Sequence, residues 1–141
     1  MKTLLALLLL IPSLSFGKMI SLEDYERQNP NMGKEESIYI TYRCSAVFYH
    51  LSKLSEQQPD LYEKLNSSQE YFTGVAMVMM SRILPNEDVS FIKKKVAITI
   101  NDFINKYIEI SNEHYLNTGA YLNNDILKDV EFCNKSMVPL N

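Results

Sequence analysis

The sequence predicts an all-α fold, a small bundle of three long helices and one or two short ones with one long-range disulfide. Apolar side chains recur with the period of about 3.6 residues that an α-helix requires. The chain has only 4 glycines and no Asn-Gly or Asp-Gly pair, so it is poorly suited to tight β-hairpin turns. With 46% hydrophobic and 22% charged residues, the composition is that of a globular domain and not of a disordered chain.

The first 17 residues have the pattern of an export signal. Lys2 is followed by an apolar run at 4–11, and Ser15 and Gly17 place small residues at positions −3 and −1 of a cleavage site. That run spans about 12 Å as a helix, far less than the ~30 Å hydrocarbon core of a membrane. We therefore expect residues 1–17 to be cleaved. The remaining chain is expected to be exported to the periplasm or secreted, with no membrane-spanning segment.

Residues 18–36, directly after the signal, are expected to form one short helix and a loop. Ser21 with an acidic residue three positions later, Asp24, resembles a capping box and begins the helix. Pro30 ends it, and the polar stretch that follows contains Gly33, which favours a loop.

The helical bundle proper is predicted over residues 37–135. Its first long helix is capped by Ser37 and runs to about Glu56. The apolar seam has intervals of four and three residues: Ile40, Cys44, Val47, Leu51 and Leu54. Most of the remaining surface of this helix is apolar too, which predicts a position in the middle of the bundle.

The second long helix starts at Pro59, because a proline in the first turn has no helical hydrogen bond to lose. Apolar residues continue at helical spacing to Leu84, and the polar run 66–68 is the one stretch that favours an interruption. Pro85 stops this helix, and acidic residues after it begin the next one.

The third long helix is predicted from Val89 to about Gly119, and a last short helix covers about 124–134. Residues 136–141 are expected to form a flexible tail. Two stretches, 38–42 and 96–100, are rich in β-branched and aromatic residues and leave strands as an alternative. Helix is favoured because both stretches continue into longer patterns of helical period.

Cys44 and Cys133 are the only cysteines, and an even count in an exported protein predicts a disulfide. Closing so long a loop stabilises a fold by about 4–5 kcal/mol in the chain-entropy model. The rival interpretation is a reactive thiol or a metal-binding pair. It is disfavoured because there is no Cys-x-x-Cys and no histidine within three residues of either cysteine.

The strongest candidate for a ligand site is a polar and aromatic group on the first long helix. Its members are Tyr39, Tyr42, Arg43, Tyr49 and His50. Arg43 and His50 are seven positions apart and share one helix face, so a central helix would bury them and they would need partners. One interpretation is a structural layer in which Arg43 pairs with an acid such as Asp102 or Glu109. The other is a pocket in which arginine and tyrosines hold an anionic ligand.

Two weaker candidates concern metals. Glu109, Glu113 and His114 lie close together late in the third helix, but they match neither the zinc nor the di-iron helix patterns. The Met-rich run 77–80 resembles a copper-binding sequence, yet its apolar neighbours favour core packing. We therefore expect no cofactor.

One basic run, Lys93, Lys94 and Lys95, is interpreted as a solvated helix face, with a weak contact to an acidic lipid head group or partner as the alternative. A net charge of −3 without a basic stripe argues against nucleic acid as a partner. No Gly-x-Ser-x-Gly, P-loop or His-Glu-x-x-His motif occurs, which favours a non-catalytic role.

The expected function is a non-catalytic binding or accessory role that acts through contact with another exported protein. The alternative is a carrier of a small ligand or metal, with a pocket around Arg43 and His50.

Overall fold

The computed structural model describes residues 19–137; residues 1–18, which include the expected signal, and residues 138–141, most of the expected tail, lie outside this part. It contains five helices and, within those residues, no strand: α1 (Leu22–Gln28), α2 (Lys34–Leu54), α3 (Pro59–Ile83), α4 (Val89–Thr118) and α5 (Asn124–Ser136). The prediction of an all-α bundle with three long helices and one or two short ones is confirmed, and the number of short helices in this part is two. Both stretches with a strand alternative, 38–42 and 96–100, are helical.

Most helix ends follow the local signals. Asp24 N–H donates to the Ser21 hydroxyl at 3.2 Å, which caps α1. The α3 helix begins at Pro59 and continues without interruption through 66–68. Gly119, which ends α4, has a φ of 79°, a left-handed conformation that glycine adopts without a steric penalty.

The predicted N-cap of α2 is wrong by four residues. The N-cap is Gly33 and not Ser37, so the helix begins at Lys34. Glu36 causes the difference, because its carboxylate accepts the Gly33 backbone N–H at 2.9 Å and so satisfies a group that the helix itself leaves unpaired. Ser37 therefore lies inside the first turn.

The α2 helix lies at the centre of the bundle, as its apolar surface predicts. Of its 21 residues, 13 are buried, and it packs against α3, α4 and α5. Tyr39 meets Phe103 and Arg43 meets Tyr107, so α2 and α4 run in the same direction. The α1 helix packs on α5, which completes the layer that covers Arg43.

The disulfide joins α2 to α5. Cys44 and Cys133 are fully buried and bonded, with a Cα–Cα distance of 5.5 Å across 89 positions of sequence. The predicted bridge is thus confirmed. It encloses the second half of α2, all of α3 and α4, and most of α5, so it constrains the greater part of the chain.

The Met-rich run packs into the core. Met80 is buried, Met77 and Met79 pack against the core, and Val78 between them is exposed. This arrangement supports the packing interpretation, because flexible thioether side chains fill irregular space between helices. No helix among residues 19–137 is long and apolar enough to cross a membrane.

Candidate functional site

Arg43 forms a buried ion pair, and its partner is Asp129 on α5. The Arg43 Nη2 donates to Asp129 Oδ2 at 2.6 Å, and each side chain is at most 2% exposed. The expected partners, Asp102 and Glu109, are incorrect because both lie exposed on the outer face of α4. One signal in the sequence pointed to Asp129: it lies four residues before Cys133, on the seam that carries α5 into the core.

Tyr107 links the two charged groups from the side of α4. Arg43 Nε donates to the Tyr107 hydroxyl at 3.2 Å, and that hydroxyl donates to Asp129 Oδ2 at 2.6 Å. Burial raises the pKa of Tyr107 well above its ordinary value, so the hydroxyl keeps the proton that it donates. Burial alone would lower the pKa of Arg43, but the Tyr107 and Asp129 oxygens outweigh it and the pKa is raised. Arg43 is therefore always charged.

The same pair binds the backbone of the segment before α1. Arg43 Nη1 donates to the Ile20 carbonyl at 2.7 Å and to the Tyr39 hydroxyl at 3.2 Å. The Leu22 N–H donates to Asp129 Oδ1 at 2.7 Å. Four donor–acceptor contacts thus occupy the guanidinium, and both carboxylate oxygens accept hydrogen bonds. Such a network fixes four segments at one point, and it balances the buried charge of Arg43 with Asp129 instead of leaving a free cation for an anionic ligand.

Tyr42 is separate from this network. Its side chain is 5% exposed, and its hydroxyl has no hydrogen-bond partner in the described part of the chain. Burial raises the pKa of Tyr42, so the hydroxyl stays neutral. Of the five predicted ligand-site residues, Tyr39 and Arg43 share the ion-pair network, whereas Tyr49 and His50 lie elsewhere.

Tyr49 and His50 line a cleft between α2 and α4 of about 200 Å³. The cleft is mostly apolar. Its other lining residues include Leu54 of α2, Ile104 and Ile108 of α4, and Tyr121 of the loop before α5. We call this feature the α2–α4 cleft. No motif marked its α4 residues, because they follow the ordinary helical period and become a site only when the two helices pack together.

The rim of the α2–α4 cleft is apolar and open to solvent. Leu54, Ile108 and Tyr121 are 40%, 39% and 42% exposed. The Tyr121 ring stacks on Tyr115 with centroids 4.3 Å apart, which extends the surface along α4. Exposed large apolar side chains are ordinary when scattered singly, whereas these line one cleft together.

His50 is the buried polar group in the wall of the cleft. Its Nε2 lies 2.6 Å from the Ser111 hydroxyl, and burial lowers the pKa of the imidazole. His50 is therefore neutral at pH 7. A neutral ring can stay beside the apolar residues of the cleft at little cost, whereas an imidazolium cannot.

We predict that acid destabilises the fold through His50. The unfolded chain binds this proton near pH 6.5, above the lowered pKa of the folded state. Stability is thus fully present above pH 6.5 and falls as the pH drops below it, by at most about 1.4 kcal/mol per pH unit. Urea unfolding at pH 7.5 and 5.5 measures the loss, and His50→Gln is expected to reduce it. An equal loss in both proteins would contradict the assignment.

The three weak metal candidates are divided between two places. Glu113 and His114 line a second hollow of about 240 Å³, next to Asn123 and Asp125 at the start of α5. Glu109 is exposed and does not line it. Within residues 19–137, no three His, Cys, Asp or Glu side chains are placed to hold a metal ion together.

Fold and site together define a disulfide-linked five-helix bundle with an apolar cleft beside its central helix. Comparisons with protein-family models, with curated proteins and with solved structures gave no match. The function of the bundle is therefore inferred from its own side chains.

Proposed function

We propose that the protein is an exported, non-catalytic binding module that holds another exported protein at the α2–α4 cleft. The observation that carries the proposal is an apolar cleft with an exposed apolar rim, in a bundle whose buried charges are already paired. The export signal predicted at residues 1–17 supports the exported location of the module. The lack of a catalytic motif in the sequence supports a binding role over a catalytic one.

The size of the cleft favours a protein partner. About 200 Å³ is smaller than the 300–1,000 Å³ range typical of small-molecule sites, and it suits one large apolar side chain. Tyr115 and Tyr121 at its edge are of the type enriched in protein interfaces, because a tyrosine buries a large ring and keeps a polar end. The expected contact is thus a single side-chain anchor surrounded by a flat aromatic and aliphatic rim.

The charge of the cleft indicates what flanks that anchor. Lys53 is the charged side chain in the lining, and its Nζ lies above the Tyr49 ring, 5.4 Å from the centroid. Lys53 also pairs with Glu56 at 3.3 Å on the surface, so an acidic group beside the apolar anchor of the partner would compete with Glu56 for Lys53 at the rim. Charges in that position mainly set the rate and the specificity of association.

The second candidate function is that of a small-ligand carrier, and His50 is the observation that favours it. A buried, hydrogen-bonding group in an otherwise apolar wall is the pattern of a ligand pocket. Such a ligand would be small and mainly apolar, because Arg43 does not reach the cleft lining and Lys53, the charged side chain there, is already paired with Glu56 at the rim.

Replacing Ile108 with asparagine is expected to weaken partner binding about 30-fold, since a polar amide set against the apolar anchor of the partner costs about 2 kcal/mol. The partner is first identified by photo-crosslinking from position 108 in the exporting cells. Its dissociation constant is then measured with the purified proteins. Ile108 is 39% exposed, so the fold is expected to tolerate the change.

Leu116→Asn is the matched control, because Leu116 is on the same helix and 85% exposed but does not line the cleft. Equal weakening by both variants would contradict the proposal. Native mass spectrometry of the exported protein separates the two candidates. A small stoichiometric extra mass, lost in the Ile108 variant, would make the protein a carrier.

A further inference from the structure

The outward face of α4 near its start carries two exposed apolar side chains. Phe91 is 45% exposed and Ile98 is 55% exposed. Because they are seven positions apart, they lie on one line along the helix. The core residues of this stretch, Ile92, Val96 and Ile100, lie on the opposite side and are at most 5% exposed. Neither apolar side chain is therefore needed to pack the bundle.

Lysines flank this line on both sides. At 100° per residue, Lys94 and Lys95 lie about 50° to either side of the line through Phe91 and Ile98. Both are exposed, and neither forms an ion pair with a residue of the described part. No acidic residue of α4 lies between Asp88, its N-cap, and the exposed Asp102, so the charged side chains of α4 within this stretch are all basic.

We propose that this face, from Phe91 to Ile98, docks on an anionic lipid surface. Apolar side chains at its centre would enter the interface, while the lysine stems extend outward and bring their ammonium groups to lipid phosphates. Neighbouring helix positions fan around the axis, so these lysines cannot clamp one phosphate. A bilayer presents many phosphates in one plane, so each lysine can contact a different phosphate.

A lipid surface fits these residues better than a protein groove does. Phe91 and Ile98 project from an exposed helix face, and neither they nor the two lysines line the α2–α4 cleft or the hollow beside Glu113. It is also independent of the α2–α4 cleft, whose α4 residues begin at Ile104. The bundle could therefore rest on a membrane and hold a partner at the same time.

The test uses Phe91→Trp in the exported protein, which has no tryptophan of its own. Vesicles of mixed phosphatidylglycerol and phosphatidylcholine are expected to shift the emission to shorter wavelength, and pure phosphatidylcholine vesicles are not. Leu116→Trp, near the other end of the same helix, is the control and is expected to show no shift. Circular dichroism establishes that both variants fold.

Charge is tested by co-sedimentation, which does not depend on the tryptophan. Lys94→Gln with Lys95→Gln is expected to lower the partition coefficient roughly 30-fold, at about fivefold per lysine. Lys64→Gln with Lys128→Gln has the same net charge and is expected to bind like the parent. Equal binding to neutral vesicles, or equal loss in both double variants, would overturn the proposal. So would binding to soluble polyglutamate without binding to vesicles.

Discussion

Asp129→Asn is expected to lower the free energy of unfolding by about 3–5 kcal/mol, the range measured when one partner of a buried ion pair is removed. The substitution keeps the shape but removes the charge that balances Arg43. It also replaces one carboxylate oxygen with an amide nitrogen, which cannot accept a hydrogen bond. In one orientation of the amide the nitrogen faces the donors Arg43 and Tyr107, and in the other it faces the Leu22 N–H. Urea unfolding followed by circular dichroism measures the change.

Glu131→Gln is the matched control, because this acid lies on the same helix and pairs with Lys135 at 2.9 Å on the surface. An exposed pair of that kind contributes little to stability, because water screens it. The double variant Arg43→Met with Asp129→Leu is expected to be less destabilised than the sum of its single variants, since neither charge is left alone. Additive losses, or a loss in Asp129→Asn as small as in Glu131→Gln, would contradict the network.

Local chemistry explains why so much of the fold could be predicted. Pro59 fixes the start of α3, and Gly119 is suited to end α4 because it adopts a left-handed conformation. The central place of α2 followed from its apolar surface, a property of one segment that no other segment changes. The prediction of the start of α2 was wrong because two possible caps, Gly33 with Glu36 and Ser37, lie about one helical turn apart.

The site was predicted less well, because it depends on which helices meet. The sequence shows that Arg43 needs a partner once it is buried, but not that the partner is 86 positions away. That pairing is decided in three dimensions, where the disulfide at Cys133 brings α5 against α2 one turn from Asp129. Likewise, Tyr49 and His50 acquire a cleft only through the packing of α4 residues such as Ile108.

The correction to Arg43 also changes what the protein is proposed to bind. A free buried guanidinium would favour an anionic ligand, whereas the observed one holds Asp129, two tyrosine hydroxyls and the Ile20 carbonyl. The α2–α4 cleft, which stays open on the same helix, is lined mainly by apolar side chains and neutral His50. The proposed partner is therefore recognised by shape and apolar area at the cleft, with charge confined to the rim.

The second large effect is expected from the disulfide. Cys44→Ala with Cys133→Ala should lower the free energy of unfolding by about 4 kcal/mol, because the bridge spans 89 positions and restricts the unfolded chain. Globular proteins have only about 5–15 kcal/mol in total, so the variant is expected to be close to unfolding. Urea unfolding of the parent and the variant measures the difference.

The same double alanine variant also tests which helices unfold first. The bridge and the ion pair are the two strong attachments of α5 to α2, and α1 packs on α5. Without the bridge, amide hydrogen exchange is expected to accelerate in α1 and α5 before it does in α3. The Arg43 network would then be the remaining strong attachment of both short helices to α2.

The reduced parent protein is the control that separates the crosslink from the packing of the sulfur atoms. Both thiols remain in it, so it loses the constraint without creating the small cavities that alanine leaves. If the chain-entropy account is right, the reduced parent and the double alanine variant should lose nearly the same stability. A reduced parent as stable as the oxidised protein would mean that the α2–α5 contact rests on the Arg43–Asp129 pair and not on the bridge.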